Sequence, residues 1–461
     1  MDTSEAVAVD ADEQVETKGL KPFLRFLIPS LIGLLLFLVP FPSEGGFTIL
    51  FGLYSDWVNA QFGFILLELM VAISVIAALA GAYHLAFKPD WESKHPVLHA
   101  VSATSAGWLL LRVVGAAIAI MVYFEVGPEV LRLEDTGQVL VNDLAIAFSI
   151  VMLPACFLMP LLTEFGAMDF FGTIVAPAFK KLFRLPGRAA VDATASFISA
   201  SNIGILVTGQ QYRRGFYDGR EAVVVATNFS VVSLPFALVI SQVSKIGDMF
   251  FIWYMTAILA CIICAIITPR IPPISRIPAT FVGGSANAER LRQSREGPIL
   301  KRSLDNAISS AAHTPPVKEL ARLGNIMMFE QLFGIIGPMI ALGTITAAVA
   351  FHSPIGEWIS SPIAWMLSLF DIENASRVAP GFIFGFMDQY IPTIIASDLT
   401  SAPMRFVLAG LSLCQLIFMT ETGLVMIRVG LPVSVWQLFQ IFVIRTIIVT
   451  PVLTIAALIL F

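Results

Sequence analysis

The chain has 461 residues, of which 57% are hydrophobic and 13% are charged, and its mean hydropathy is +0.83. Apolar runs of about 20 residues recur along it, which excludes a soluble globular domain and predicts an all-α polytopic membrane protein. The formal net charge of -5 at pH 7 does not indicate nucleic-acid binding, because the basic residues stand in loops beside the apolar runs.

The N-terminal part begins with a polar tail and continues with three apolar runs. Residues 1–21 are predicted to be a disordered cytoplasmic tail, since acidic residues dominate where a signal peptide would be basic. Residues 22–141 are predicted to form a three-helix membrane region with an outer loop at Ser43–Gln61. Arg112 lies deep in the third span, where Glu68 of the second span is its expected structural partner. The three spans are expected at Phe23–Val39, Phe62–Phe87 and Ser102–Phe124.

A first repeat is predicted over residues 142–269. Its elements are a span, a short interfacial helix, a re-entrant stretch and two further spans, at Leu144–Leu162, Phe170–Phe183, Arg188–Gly209, Ala222–Ile240 and Met249–Ile267. Cytoplasmic loops collect Lys and Arg. Basic residues flank the third of these stretches on both sides, so both of its ends should face the cytoplasm: Lys180, Lys181, Arg184 and Arg188 precede it, and Arg213, Arg214 and Arg220 follow it.

Residues 270–322 form a polar linker in which basic residues outnumber acidic ones, so the linker is predicted to be cytoplasmic and largely disordered. A second repeat is predicted over residues 323–461. It has the same order of elements, at Asn325–Phe351, Ser360–Phe370, Val378–Leu399, Met404–Gly423 and Ser434–Phe461. The chain would then have about nine transmembrane helices and two re-entrant hairpins. The N-terminus is expected inside and the C-terminus outside.

The two repeats start from opposite sides of the membrane, which is the inverted-topology arrangement of many secondary transporters. Aligned without gaps, the re-entrant stretches place Ser201 and Asn202 opposite Asp388 and Gln389. Nearby Gly and Pro residues break helices. Each stretch is therefore predicted to be two half-helices that meet at a polar tip, and these four residues are predicted to bind the substrate.

Several polar residues inside apolar runs are candidates for coupling to H⁺ or Na⁺, namely Asp388, Glu421, Thr422, Asn228 and Glu164. The alternative for each is a hydrogen bond between helices, which small polar residues commonly make. Arg445 lies near the middle of the last span, and a charge at that depth needs a partner. An Asp388–Arg445 pair is predicted.

Enzyme functions are not supported, because the sequence shows no phosphate-binding loop, no serine–histidine–acid grouping and no metal-binding motif. No cofactor is expected beyond a coupling ion. Transport would then be driven by an ion gradient or by the solute's own gradient.

Three segments resemble the YjiH family: LFRLPGRAAVDATASF (Leu182–Phe197), ILVTGQQYRRGFYDGREAVVVATNFSVVS (Ile205–Ser233) and FLIPSLIGLLLFLVP (Phe26–Pro40). That family carries the nucleoside-recognition Gate domain, which is shared with concentrative nucleoside transporters, FeoB and the spore-maturation proteins SpmA and SpmB. The resemblance implies a transporter-type protein of the bacterial cytoplasmic membrane. The second repeat looks like a further Gate unit, such as a YjiG-type partner supplies as a separate chain.

The sequence therefore favours a membrane transporter that moves a small polar solute, nucleoside-like or peptide-like, by means of an ion gradient. The main alternative is a non-transporting scaffold or regulator of the spore-maturation type. A passive channel is a third hypothesis. The expected partners are the lipid bilayer and the solute, with a homo-oligomer left open and no nucleic acid.

Overall fold

The computed structural model describes residues 20–37, 39–43, 46–91, 94–187, 189–190, 193–194, 201–284, 298–369, 374–420 and 422–461. Its regular secondary structure over these ranges is helical, apart from one two-stranded hairpin. The predicted N-terminal tail lies almost wholly outside the described residues. The all-α membrane class predicted from composition is thus confirmed.

The N-terminal region consists of four helices and the hairpin: α1 (Leu20–Phe37), β1 (Pro40–Ser43), β2 (Gly46–Ile49), α2 (Leu50–Phe87), α3 (Pro96–Ser102) and α4 (Ala106–Tyr123). The strands are antiparallel, with Pro40 opposite Ile49 and Phe41 opposite Thr48. The predicted outer loop Ser43–Gln61 is wrong for most of its length. It forms β2 and the start of α2, because the hairpin turns Ile49 and Phe51 into the core.

The next region begins with a π-helical segment, Glu134–Leu144, that runs directly into α5 (Ala145–Leu158). The helix therefore starts ahead of the predicted Leu144. After the short α6 (Pro160–Thr163) comes α7 (Ala167–Ala178), which ends in a π-helical turn at Phe179–Phe183. Its bounds agree with the predicted short helix.

Four further helices follow in the described part of this region: α8 (Ser201–Arg213), α9 (Gly219–Phe229), α10 (Leu234–Val243) and α11 (Phe250–Ile267). The predicted span Ala222–Ile240 is divided into two helices, α9 and α10, which meet at a bend of 42°. Pro235 stands at the start of α10 and has no N–H for a hydrogen bond to the preceding turn.

The linker is partly ordered, contrary to the predicted extensive disorder. It contains α12 (Ile299–Ala312), which packs against α7 and α1. Gly166, with φ of +89°, allows the close approach, since a Cβ there would lie 2.3 Å from the Ala307 carbonyl oxygen. Ser310 also donates a hydrogen bond to Asp169 (2.5 Å). This part of the linker is a docked helix because it buries small residues against the membrane region.

The C-terminal part has seven helices: α13 (Val317–His352), α14 (Pro354–Ser368), α15 (Ala375–Ile383), α16 (Tyr390–Asp398), α17 (Ala402–Cys414), α18 (Thr422–Arg428) and α19 (Val435–Leu460). The stretch Val378–Leu399 is two short helices, α15 and α16, as predicted from its Pro residues and polar centre. Only the first part of the predicted span Met404–Gly423 is helical as one piece, because α17 ends at Cys414 and the chain is non-helical up to Thr420.

Seven helices in the described part of the chain are long and apolar enough to cross a membrane. They are Leu20–Phe37, Ile65–Phe87, Ala106–Tyr123, Glu129–Leu158, Gly247–Arg276, Val317–His352 and Val435–Leu460. Each overlaps one of the predicted spans. The two remaining predictions, Ala222–Ile240 and Met404–Gly423, correspond to the broken pairs α9–α10 and α17–α18. The breaks concentrate at the centre of the fold, where α10, α11, α16 and α17 form the main core.

Candidate functional site

Three interruptions between helices lie together inside the bundle. We call them the first break (230–233, between α9 and α10), the second break (384–389, between α15 and α16) and the third break (415–420, after α17). The second and third breaks are joined by backbone hydrogen bonds from Met419 N to Phe386 O (2.8 Å) and from Thr420 N to Met387 O (3.1 Å). Non-helical backbone at membrane depth requires such partners.

The first break joins this group through side chains. Asn228, near the end of α9, accepts a hydrogen bond from Arg445 of α19, and Phe236 of α10 lies with its ring 5.6 Å from that of Tyr390. Residues from both halves of the chain therefore build one buried polar centre.

Asp388 is the carboxylate of this centre and is only 3% exposed. Its side chain accepts hydrogen bonds from Tyr390 N (2.9 Å) and from Thr420 Oγ1 (3.3 Å). These contacts hold it at the N-terminus of α16, where the helix dipole favours negative charge. No Lys, Arg or His among the described residues lies within ion-pair distance of it. A buried carboxylate with this surrounding is suited to take up a proton or a small cation.

Arg445 is fully buried, but the predicted Asp388–Arg445 pair is wrong. Its guanidinium donates to the carbonyl oxygens of Cys414 (2.6 Å from Nη2) and Gln415 (3.2 Å from Nε), and to Asn228 Oδ1 (2.7 Å from Nη1). The two carbonyls belong to the C-terminal end of α17, which carries partial negative charge. Arg445 therefore caps a helix end at the third break, so no carboxylate is required to satisfy it.

Two amide side chains extend the centre. Asn228 Oδ1 also accepts from Thr268 Oγ1 (2.8 Å). Gln415 donates to Phe382 O (3.2 Å) and Thr446 Oγ1 (3.1 Å), while its own Oε1 is buried without a partner among the described residues. Sequence reasoning missed Gln415, although a Gln inside the apolar run after Leu411 is a usable signal.

Three other predicted site residues have different surroundings. Gln389 is buried beside Asp388. Thr422 bonds to the Leu416 carbonyl (2.8 Å) and accepts from Phe418 N (3.0 Å), so it stabilises the third break. Glu164 is exposed and lies near the linker helix α12, so the structure does not bring it to this centre.

The remaining predictions fall where the structure gives no side-chain contacts. Glu421 lies outside the described residues, and Ser201 and Asn202 are described only as the first residues of α8. Their predicted roles stay predictions.

The ends of the second predicted re-entrant stretch lie close to each other, whereas the flanks of the first contact a later segment of the chain. At the first stretch, Arg270 donates to the carbonyl of Leu182 (2.8 Å), and Gly219 N donates to the Thr280 carbonyl (3.0 Å). Both flanks therefore contact the same short segment, 268–280. At the second stretch, Arg377 at the start of α15 forms an ion pair with Asp398 at the end of α16. The pair α15–α16 is thus a closed helical hairpin.

Comparison with known proteins supports the Gate resemblance over part of the chain. A family model described as Gate, nucleoside recognition, matches residues 145–247, which span α5 to α10. The chain is also 37% identical over 452 residues to a protein of Alkalihalophilus pseudofirmus called "Uncharacterized protein BpOF4_10220". That match covers 98% of this chain and 97% of the relative. No solved structure matches.

Proposed function

The chain belongs to the same family as the Alkalihalophilus pseudofirmus protein, and from this premise we propose that it is a Gate-type membrane transporter. Its cargo is a small polar solute, nucleoside-like or peptide-like, and an ion gradient drives the movement. The Gate match and the apolar helices support a transporter-like membrane protein. The substrate and the coupling ion are part of the proposal.

The observation that carries the proposal is the meeting of three helix breaks around buried polar residues. Transporters commonly place their substrate and ion sites where discontinuous helices from two repeats meet. Here Asn228 comes from the first half of the chain, whereas Asp388 and Gln415 come from the second. A charged residue at such a depth costs about 2.5–3.5 kcal/mol on insertion scales. The presence of the Asp388 carboxylate at this junction, in spite of that cost, favours a functional role.

We further propose that the two halves of the chain form an inverted repeat with re-entrant hairpins, and two observations support this. Both halves contain a long helix, a shorter helix, a broken pair and a final long helix in the same order. In the first half these are Glu129–Leu158, α7, α9–α10 and α11, and in the second half α13, α14, α17–α18 and α19. The ends of the second predicted re-entrant stretch, at Arg377 and Asp398, also lie close together. A segment that enters and leaves on one side of the membrane has this property.

In the proposed mechanism Asp388 is the coupling residue. Protonation, or Na⁺ bound by its carboxylate with the Thr420 hydroxyl, would neutralise it and favour one arrangement of the second and third breaks. Release of the proton or of Na⁺ would favour the other arrangement of these breaks. Arg445 keeps the end of α17 capped in both, and solute movement would follow the shift of one repeat against the other.

The direct test is gradient-driven uptake into proteoliposomes with a panel of nucleosides and dipeptides. We expect Asp388→Asn to abolish uptake driven by H⁺ or Na⁺ while folding is retained, because the amide cannot change its charge. Asp90→Asn makes the same change at an exposed loop position and should leave uptake intact. Undiminished uptake by Asp388→Asn would refute the coupling role.

One observation favours the alternative of a non-transporting scaffold. Asp388, Gln415 and Arg445 are buried and hydrogen-bonded, so the breaks are closely packed in this conformation. A static scaffold has such packing permanently, whereas a transporter has it only while it is occluded. Absence of uptake for every solute by the wild-type protein, reconstituted in folded form, would support the scaffold.

A further inference from the structure

A pocket with charged residues in its wall lies outside residues 145–247 and shares no lining residue with the three breaks. Its volume is about 380 Å³, and it is lined by α3, α4 and the first half of α13. The charged and polar residues in its wall are His99, Arg112, Glu330 and Gln331, and Trp108 supplies an aromatic face. The indole of Trp108 donates to the Gly334 carbonyl (3.0 Å), which fixes α4 against α13 one turn from Glu330.

Arg112 in this wall is 2% exposed and incompletely satisfied. Nη1 donates to the carbonyl of Val101 (3.0 Å) and Nη2 to that of Ala103 (3.3 Å), while Nε has no partner among the described residues. A guanidinium has five N–H donors. The predicted partner Glu68 is exposed and makes no ion pair with Arg112. The pocket wall therefore holds a buried positive charge without a carboxylate partner among the described residues, and such a charge attracts an anionic group.

Glu330 gives the same pocket a negative charge. Its side chain is exposed, and no Lys, Arg or His of the described residues lies within ion-pair distance of it. His99 adds a ring whose Nδ1 has no partner in the described part of the chain. One unpaired cation and one unpaired carboxylate in one pocket are complementary to a ligand that carries both signs.

The position of the pocket along the membrane-spanning helices limits which kinds of ligand can reach it. Arg112 lies six residues into α4, which is about 9 Å along the helix. The loop before α3 contains Lys88 and Lys94, so this end of the bundle is predicted to be cytoplasmic. The pocket therefore lies close to the layer of phospholipid headgroups on that side, which dissolved solutes also reach.

We propose that this pocket binds a zwitterion at the cytoplasmic membrane surface. The anionic group lies against Arg112 and the ammonium group against Glu330. The phosphoethanolamine headgroup of a lipid and a free α-amino acid both have this chemistry. The site is distinct from the Asp388 centre, and the proposal does not depend on transport.

The test uses the purified full chain, first stripped of lipid, in two arms. In the first arm, native mass spectrometry counts bound phosphatidylethanolamine and phosphatidylglycerol. In the second arm, thermal shifts are measured with alanine and serine against propionate and ethylamine. We expect a zwitterion preference in one arm, and that arm identifies the source. Glu330→Gln should reduce the preference about tenfold, as loss of one charged contact of about 1.4 kcal/mol implies.

Glu319→Gln is the matched control, since Glu319 lies on the same helix but is exposed and paired with Arg322. It should leave the preference unchanged. Arg112→Gln should remove binding of both zwitterions and anions; should that variant not fold, the exposed Glu330 variant decides alone. Equal binding of phosphatidylglycerol and phosphatidylethanolamine together with equal shifts for alanine and propionate would overturn the proposal. So would a zwitterion preference that Glu330→Gln does not change.

Discussion

At the residue scale, Arg445 shows how a buried guanidinium in a membrane helix is satisfied without a carboxylate. Cys414 O, Gln415 O and Asn228 Oδ1 supply acceptors on three sides. The sequence correctly indicated that Arg445 and Asp388 are buried and need partners. It could not indicate which partners, because two of the acceptors of Arg445 are backbone atoms at the end of α17 and the third lies on a helix distant in sequence.

Replacing Arg445 should therefore destabilise the fold strongly. We expect Arg445→Ala to lower the free energy of unfolding by roughly 2–4 kcal/mol, because it leaves the end of α17 without donors in a dry environment and removes one of the two donors to Asn228 Oδ1. Thermal denaturation in detergent measures the effect. Arg428→Ala, at an exposed position, should change stability by no more than about 0.5 kcal/mol. Equal melting of the two variants would contradict the capping role.

At the element scale, the packing of the second break against the third depends on one glycine. A Cβ at Gly385 would lie 2.1 Å from Gln415 Oε1. Gln415 cannot withdraw without losing its bond to the Phe382 carbonyl. The two breaks therefore approach each other at a place where only glycine fits.

Gly385→Ala should destabilise the protein by about 1–3 kcal/mol, as overpacking in a close-packed interior does. Thermal denaturation again gives the measurement. Gly107→Ala is the control: nothing lies within 4 Å of a Cβ there, and alanine in a helix should be neutral or stabilising by up to about 1 kcal/mol. Adding Gln415→Ala to Gly385→Ala should cost less than the sum of the single changes, because the clash disappears. Additive effects would show that this contact is not the cause.

At the scale of the whole molecule, the predicted topology places the linker inside and the C-terminus outside. Single cysteines at three exposed positions test it: Arg322→Cys in α13, Glu129→Cys ahead of the π-helical segment and Phe461→Cys at the end of α19. The four native cysteines are buried and should react little. A membrane-impermeant thiol reagent applied to intact cells should label positions 129 and 461 and spare position 322. Labelling of 322 from outside, or protection of 461, would refute the arrangement.

The sequence by itself determined the membrane class, the positions of seven long apolar helices and the interruption of Val378–Leu399, because hydrophobicity and Pro placement act locally along the chain. Only the tertiary structure decided where Ala222–Ile240 and Met404–Gly423 break, and that α12 docks on α7. It also replaced the predicted Asp388–Arg445 pair with a contact between Asn228 and Arg445, which are 217 residues apart. Such choices depend on which helix ends meet in space, and no periodicity along the chain records that.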